Sequence, residues 1–132
     1  DFPRFVGILR DREKGIGLPR GFVPYSALWL VDDSTFIGKV SIRHRLNTHL
    51  RKIGGHIGYV IRPSKRRRGY GTIILRLALL KAKKLGLKKV LVTCDATNIG
   101  SRKIIEKNGG ILENAVAQGR NKPKKLRFWI HL

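Results

Sequence analysis

Methionine is absent from this 132-residue chain, cysteine occurs once, and only 8 residues are acidic. A lone cysteine, Cys94, can neither close a disulfide within one chain nor build a thiolate metal cluster, so no metal is expected. It lies in an apolar, strand-like run, where thiols serve as small core residues. Long apolar runs are missing too: none approaches the roughly 20 residues that span a bilayer, and no signal-peptide pattern opens the sequence. The expectation is a cytoplasmic protein with no membrane association. The scarcity of acids has a different consequence, because it leaves 29 Lys and Arg and a formal charge of +21. Such a field draws polyanions, and nonspecific, salt-sensitive nucleic-acid association is expected from it. The basic residues recur along the whole chain rather than in one tail. The aromatic residues fall mostly at apparent core positions, not interleaved with the charge as in single-strand binders.

What is present reads as one globular domain over residues 1–132, with 42% hydrophobic and 28% charged residues. Phe2, Phe5, Val6 and Leu9 can make one face of a short helix, followed by a loop through residues 15–19. From Tyr25 the period changes to two. Tyr25, Ala27, Trp29 and Val31 lead to the turn Asp32-Asp33-Ser34, and Phe36, Val40, Ile42 and Leu46 then alternate with basic residues, which predicts an antiparallel hairpin. Residues 47–52 read as a polar connection. A strand over 56–61 is stopped by Pro63, which cannot donate to a ladder. A helix from Thr72 to Leu85 carries Ile73, Ile74, Leu77, Leu80 and Leu85 at helical spacing, with Gly86 just past its end. The run Val90-Leu91-Val92 predicts a buried strand over 88–94, parallel to the strand over 56–61 through a right-handed crossover. Thr97 or Asn98 can cap a second helix whose inward face is Ser101, Ile104, Ile105 and Asn108. Residues 111–118 and 124–132 read as a last hairpin. The fold class is α+β (α/β): a mixed, mostly antiparallel twisted sheet of about six strands with helices on both faces.

The chemistry concentrates in Arg66-Arg67-Arg68-Gly69-Tyr70-Gly71-Thr72, between the strand over 56–61 and the helix that follows. A turn with two glycines opening a helix aims several N–H groups at one point, and the helix dipole adds positive charge there. Gly69 and Gly71 let a ligand approach the main chain closely. The arginines add charge-assisted donors, so the segment is a phosphate cradle by construction.

The spacing Arg66-x-x-Gly69-x-Gly71 after a strand resembles the pyrophosphate-binding motif of the GNAT superfamily of N-acetyltransferases, and the order of elements matches over residues 54–117. A closer likeness, to the predicted-acetyltransferase branch of that superfamily, lies in Ile42-Arg43-His44-x-Leu46-Asn47, in Gly54-Gly55-His56-Ile57-Gly58-Tyr59, and in Ser101-Arg102-Lys103-x-Ile105-Glu106-Lys107-Asn108-Gly109-Gly110. The resemblance implies transfer of an acetyl group from acetyl-CoA to a primary amine. It implies that Tyr59, Val60 and Ile61 meet the pantetheine arm through main-chain groups, and that residues Arg66 to Thr72 take the pyrophosphate. Asn98 would hydrogen-bond the arm, and Ser101 would line it. The oxyanion donor would be a backbone N–H, that of Val60.

Removal of the amine proton calls for a base. His56 is the first candidate, since it shares a strand with the cofactor segment, and His44 is the second. Family members commonly place a tyrosine, as acid for the leaving thiolate, where this chain has Ile105; Tyr59 or water would then take that role, or catalysis would rely on orientation alone. The family also places a strand and helix ahead of the first hairpin, so the chain is expected to be N-terminally short. Alternatives stay open: a GNAT-fold protein that binds CoA or a partner without catalysis, or a basic nucleic-acid-binding module. Exposed edges of the final hairpin leave a homodimer open as well.

Overall fold

A computed structural model describes residues 12–132. The sequence-derived helix over Phe2 to Leu9 lies outside the described residues. Two antiparallel three-stranded sheets carry the fold. In the first, β1 (Tyr25–Asp32) and β2 (Thr35–Arg43) form the expected hairpin, and β2 pairs on its other side with β3 (Ile57–Ile61). In the second, β6 (Lys125–His131) is central, between β4 (Lys89–Asp95) and β5 (Ile111–Val116). Between β3 and β4 runs α1 (Tyr70–Lys84), and α2 (Ile99–Lys107) follows β4.

One core joins the two sheets. Val40 and Ile42 of β2, Ile57 and Ile61 of β3, Val90, Val92 and Cys94 of β4, and Leu126, Phe128 and Ile130 of β6 share a face, as strand parity requires. Against it lie Ile74, Leu75, Ala78 and Ala82 of α1 and Ile105 of α2. Complete burial of Leu75 or Ile105 contributes about 1.5–3 kcal/mol each. The face of α1 differs from the one its large residues suggested: Leu77 and Leu80 are 43% and 57% exposed. Ala78 and Ala82 let the helix sit close to the sheet, and Gly71 leaves room for Ile104 of α2. Of the expected stripe Ile74 is in the core, joined by Leu75 and the two alanines in place of Leu77 and Leu80.

Where helices on both faces were expected, α1 and α2 pack on the same one. The other face, among the described residues, is covered by residues 50–54. These were read as part of a polar connection but form a short π-helical turn, Leu50–Gly54, with Leu50 buried. Its carbonyls are taken from three directions. Arg127 donates from Nε and Nη2 to Arg51 O at 3.1 and 2.8 Å, Thr93 Oγ1 donates to Ile53 O at 2.6 Å, and Arg43 Nη1 donates to Gly54 O and Gly55 O at 3.1 and 3.0 Å. No residue of the turn announces it locally, because tertiary donors hold it.

Candidate acetyl-CoA site

β3 and β4 run side by side but are joined only at one end. There, His56 N donates to Leu91 O at 2.7 Å, and Leu91 N donates back to the ring nitrogen Nδ1 of His56 at 2.9 Å. The imidazole takes the place of the backbone carbonyl that a continuous ladder would use. Gly55 permits the approach: its φ is +70°, and a Cβ there would lie 2.6 Å from Leu91 O. Beyond this pin the strands part. Arg43 N to His56 O and Arg62 N to Ile37 O fix the phase of the β2–β3 ladder. The main-chain groups of Gly58 and Val60 therefore face β2, and those of Ile57, Tyr59 and Ile61 face the opening.

The opening is a cavity of about 920 Å³. That is at the upper end of the range for small-molecule sites. Tyr59 crosses it, with Oη 2.8 Å from Ser101 Oγ. Ser101 is held in turn through its own N–H, which donates to the Asn98 side chain at 3.1 Å, so Asn98 does cap α2. Cys94 lines the same space, and burial raises its thiol above the ordinary value. Burial also raises the Tyr59 hydroxyl, so both groups stay protonated at neutral pH.

At the helix-side mouth, Gly69 caps α1 with φ +83°, and Arg67 adopts a left-handed conformation at φ +60°. Among the described residues, the N–H groups of residues 67–72 donate to no protein acceptor, the first bond being Ile73 N to Gly69 O. Six successive free donors at a helix start are an arrangement suited to receiving an anion. Gly71 has a further reason to be glycine, because a Cβ there would run into Ile104 of α2. Asn108 tightens the same seam, its side chain donating to Thr72 O at 3.2 Å. Arg66 folds back, its Nε donating to Ile61 O at 3.0 Å, while Lys65 and Arg67 line the mouth.

The structure thus gathers Tyr59, Val60, Ile61, Arg66, Arg67, Gly69, Tyr70, Gly71, Thr72 and Ser101, with Asn98, around one cavity. Arg68 is not among its lining residues. Val60 contributes a side chain, but its N–H is turned to β2, which corrects its reading as oxyanion donor; Tyr59 and Ile61 have the required orientation.

His56 needs a larger correction. It is 6% exposed, lies outside the cavity lining, and stacks edge-on to Trp129 at 6.4 Å. Burial first, then the charges of Arg43 and Arg51, lower its pKa to about 4. Its one basic lone pair already accepts from Leu91, so it has no free site for a substrate proton. His44 is also elsewhere, its Nε2 2.9 Å from Ser26 Oγ, which donates to Glu13 at 2.6 Å. Arg43, Gly58 and Thr93, which sequence reasoning did not single out as site residues, also line the cavity. The signals for the first of them were its alternation with Ile42 and its place in Ile42-Arg43-His44-x-Leu46-Asn47.

A family model described as an acetyltransferase (GNAT) domain matches residues 11–111. The chain belongs to the GNAT acetyltransferase family. Solved structures agree on the fold. Spermidine N-acetyltransferase SpeG from Vibrio cholerae, as its F149A mutant, superposes with a TM-score of 0.67 at 18% identity, over 81% of this chain and 65% of that one. The GNAT chain therefore spans just under two thirds of SpeG. A GNAT-family acetyltransferase from Streptococcus pneumoniae gives 0.66 at 17% identity, over 82% and 67%. YncA from Salmonella typhimurium, solved with its cofactor acetyl-CoA, gives 0.69 at 14% identity, over 100% and 74%. Curated proteins contain no significant match to the sequence. The family's acyl-CoA N-acyltransferase fold accounts for the parted strands and for the helix that starts at the mouth.

Proposed function

We propose that the chain is an acetyl-CoA-dependent N-acetyltransferase. The observation that carries this reading is the gap between β3 and β4, closed at His56 and open from Ile57 to Ile61, with unpaired N–H groups of residues 67–72 at its mouth. The pyrophosphate is held by those groups, with Arg67 and Lys65 alongside. The pantetheine arm runs down the gap against the outward main-chain groups of Tyr59 and Ile61, past Ser101 and Asn98.

In the reaction the amine nitrogen attacks the acetyl carbonyl, a C–N bond forms and the C–S bond breaks. Tyr59 donates its proton to the leaving thiolate, its hydroxyl being aimed by Ser101 and kept protonated by burial. Ile105 cannot assist, since it is fully buried in the core. The outward N–H of Tyr59 or Ile61 stabilises the oxyanion. No free carboxylate or imidazole lines the cavity among the described residues, because Asp95 accepts from Lys125 at 2.9 Å and Gln118 at 2.8 Å. The amine therefore arrives neutral or loses its ammonium proton to water, and the proton its nitrogen sheds as the amide forms returns by way of water to the Tyr59 oxygen.

This same shortage of a base favours a second reading, a GNAT-fold protein that binds CoA without turnover. Thiol release from acetyl-CoA in the presence of a panel of primary amines separates the two. The first reading predicts amine-dependent release that Tyr59→Phe slows, and the second predicts binding with no release.

A further inference from the structure

Resting on the acetyl-transfer reading, we propose that the acceptor amine carries a carboxylate, as an α-amino acid does, and that Arg43 receives it. Arg43 alternates with the core residue Ile42, so it lies on the face of β2 away from α1, and it lines the cavity together with Gly54 and Gly58. Its Nη1 is tied to Gly54 O and Gly55 O. Nη2 and Nε have no partner among the described residues, and no carboxylate there forms an ion pair with the guanidinium. A partly buried guanidinium held by one nitrogen, with the rest of its fork free at a cavity wall, matches the bidentate geometry of a carboxylate.

The charge of the whole cavity points the same way. Lys65, Arg66, Arg67, Lys103 and Lys107 gather toward the mouth, where the phosphates of a CoA would lie. Arg43 stands apart from them and has no such use. Asp95, already neutralised by Lys125, is the sole acid among the lining residues. A polycationic acceptor would find no counter-charge on its way in, so a spermidine-like amine is a poor fit despite the shared fold with SpeG. The proposal names a positioning contact to the substrate, not a participant in proton transfer.

The test compares matched acceptors: α-amino acids, the corresponding amino-acid amides, and spermidine. Acetyl-CoA binding is first measured by calorimetry, and thiol release then gives kcat/KM for each amine. The expected result is a preference for the amino acid over its amide of at least about tenfold, with spermidine slowest. In Arg43→Gln that ratio collapses toward one, while Arg43→Lys keeps part of it. Because the readout is a ratio within each variant, a general loss of folded enzyme does not imitate it. Amides or spermidine used as well as amino acids, or a ratio untouched by Arg43→Gln, overturns the proposal. Acetyl-CoA binding with no turnover on any amine overturns the substrate assignment and leaves the cofactor site standing. No acetyl-CoA binding overturns the acetyl-transfer reading and this one with it.

Discussion

The two ends of β3 face the same neighbour and behave oppositely. At His56 the strand is fastened to β4 by two hydrogen bonds, one of them made by a side chain. From Ile57 to Ile61 it offers its main-chain groups to an open cavity. A parallel pair with no obstacle would continue to zip, since each unpaired buried N–H and C=O costs about as much as a lost hydrogen bond. The difference teaches that the opening is set locally, by a glycine that brings the chains together and an imidazole that ends the ladder. Farther along, the Tyr59–Ser101 bridge spans the widened space. The site is thus built from where pairing stops.

The largest effect comes from attacking the closed end. Gly55→Ala puts a Cβ against Leu91 O at a residue with φ +70°. Left-handed strain and a clash with backbone together are expected to cost about 4 kcal/mol. Urea unfolding checks this, and an unchanged midpoint would mean that the close approach is not required.

Acid attacks the same end through His56. Its folded pKa, about 4, is below the ordinary 6.5. The unfolded chain therefore binds more protons between those values, and stability is complete above about pH 6.5 and falls as pH drops toward 4. The shift corresponds to about 3 kcal/mol. His56→Asn, whose side-chain oxygen can still accept from Leu91, is expected to flatten this acid limb in melts recorded from pH 7 to 4. An acid limb that survives the substitution would assign it to other groups.

At the open end, Tyr59→Phe is expected to lower kcat by about 10- to 100-fold, toward the lower range for a lost general acid. Acetyl-CoA affinity should change no more than about twofold, because the ring stays. Steady-state kinetics with a saturating amine makes the check; equal kcat in the variant would hand protonation to water. The smallest effect lies at the mouth. Arg67 lines it and Arg68 does not, so Arg67→Gln should weaken acetyl-CoA binding by about threefold to tenfold, and Arg68→Gln less. Calorimetry at two salt concentrations compares them, and equal losses would mean a diffuse field rather than a directed contact.

Much of this was legible in residues 54–117, where strand, Arg- and Gly-containing turn, helix, strand and capped helix succeed one another. The run of unpaired N–H groups at residues 67–72 follows from local chemistry, which is why a cradle could be proposed from the sequence. The role of His56 could not. A histidine on a cofactor strand suggests a base, and only the fold reveals that Leu91 claims its lone pair. The phase of Val60 was hidden for a related reason. Which way a strand's amides point depends on its partner, and the switch at Gly55–His56 resets that choice. The turn at residues 50–54 was missed because Arg43, Thr93 and Arg127 hold it from distant positions. On α1, large leucines drew attention from the glycine and alanines that pack. Ser101 stands beside Tyr59 on the cavity wall because a capping asparagine fixes the first turn of its helix.

The account stands on acetyl-CoA lying between β3 and β4 with its diphosphate on the amides at the start of α1. Amide chemical shifts in an ¹⁵N-labelled chain, followed while acetyl-CoA is added, test this most directly. The largest changes are expected at residues 67–72 and at Tyr59 and Ile61, with β5 unmoved. Shifts scattered over lysine-rich surface, with residues 67–72 silent, would contradict it.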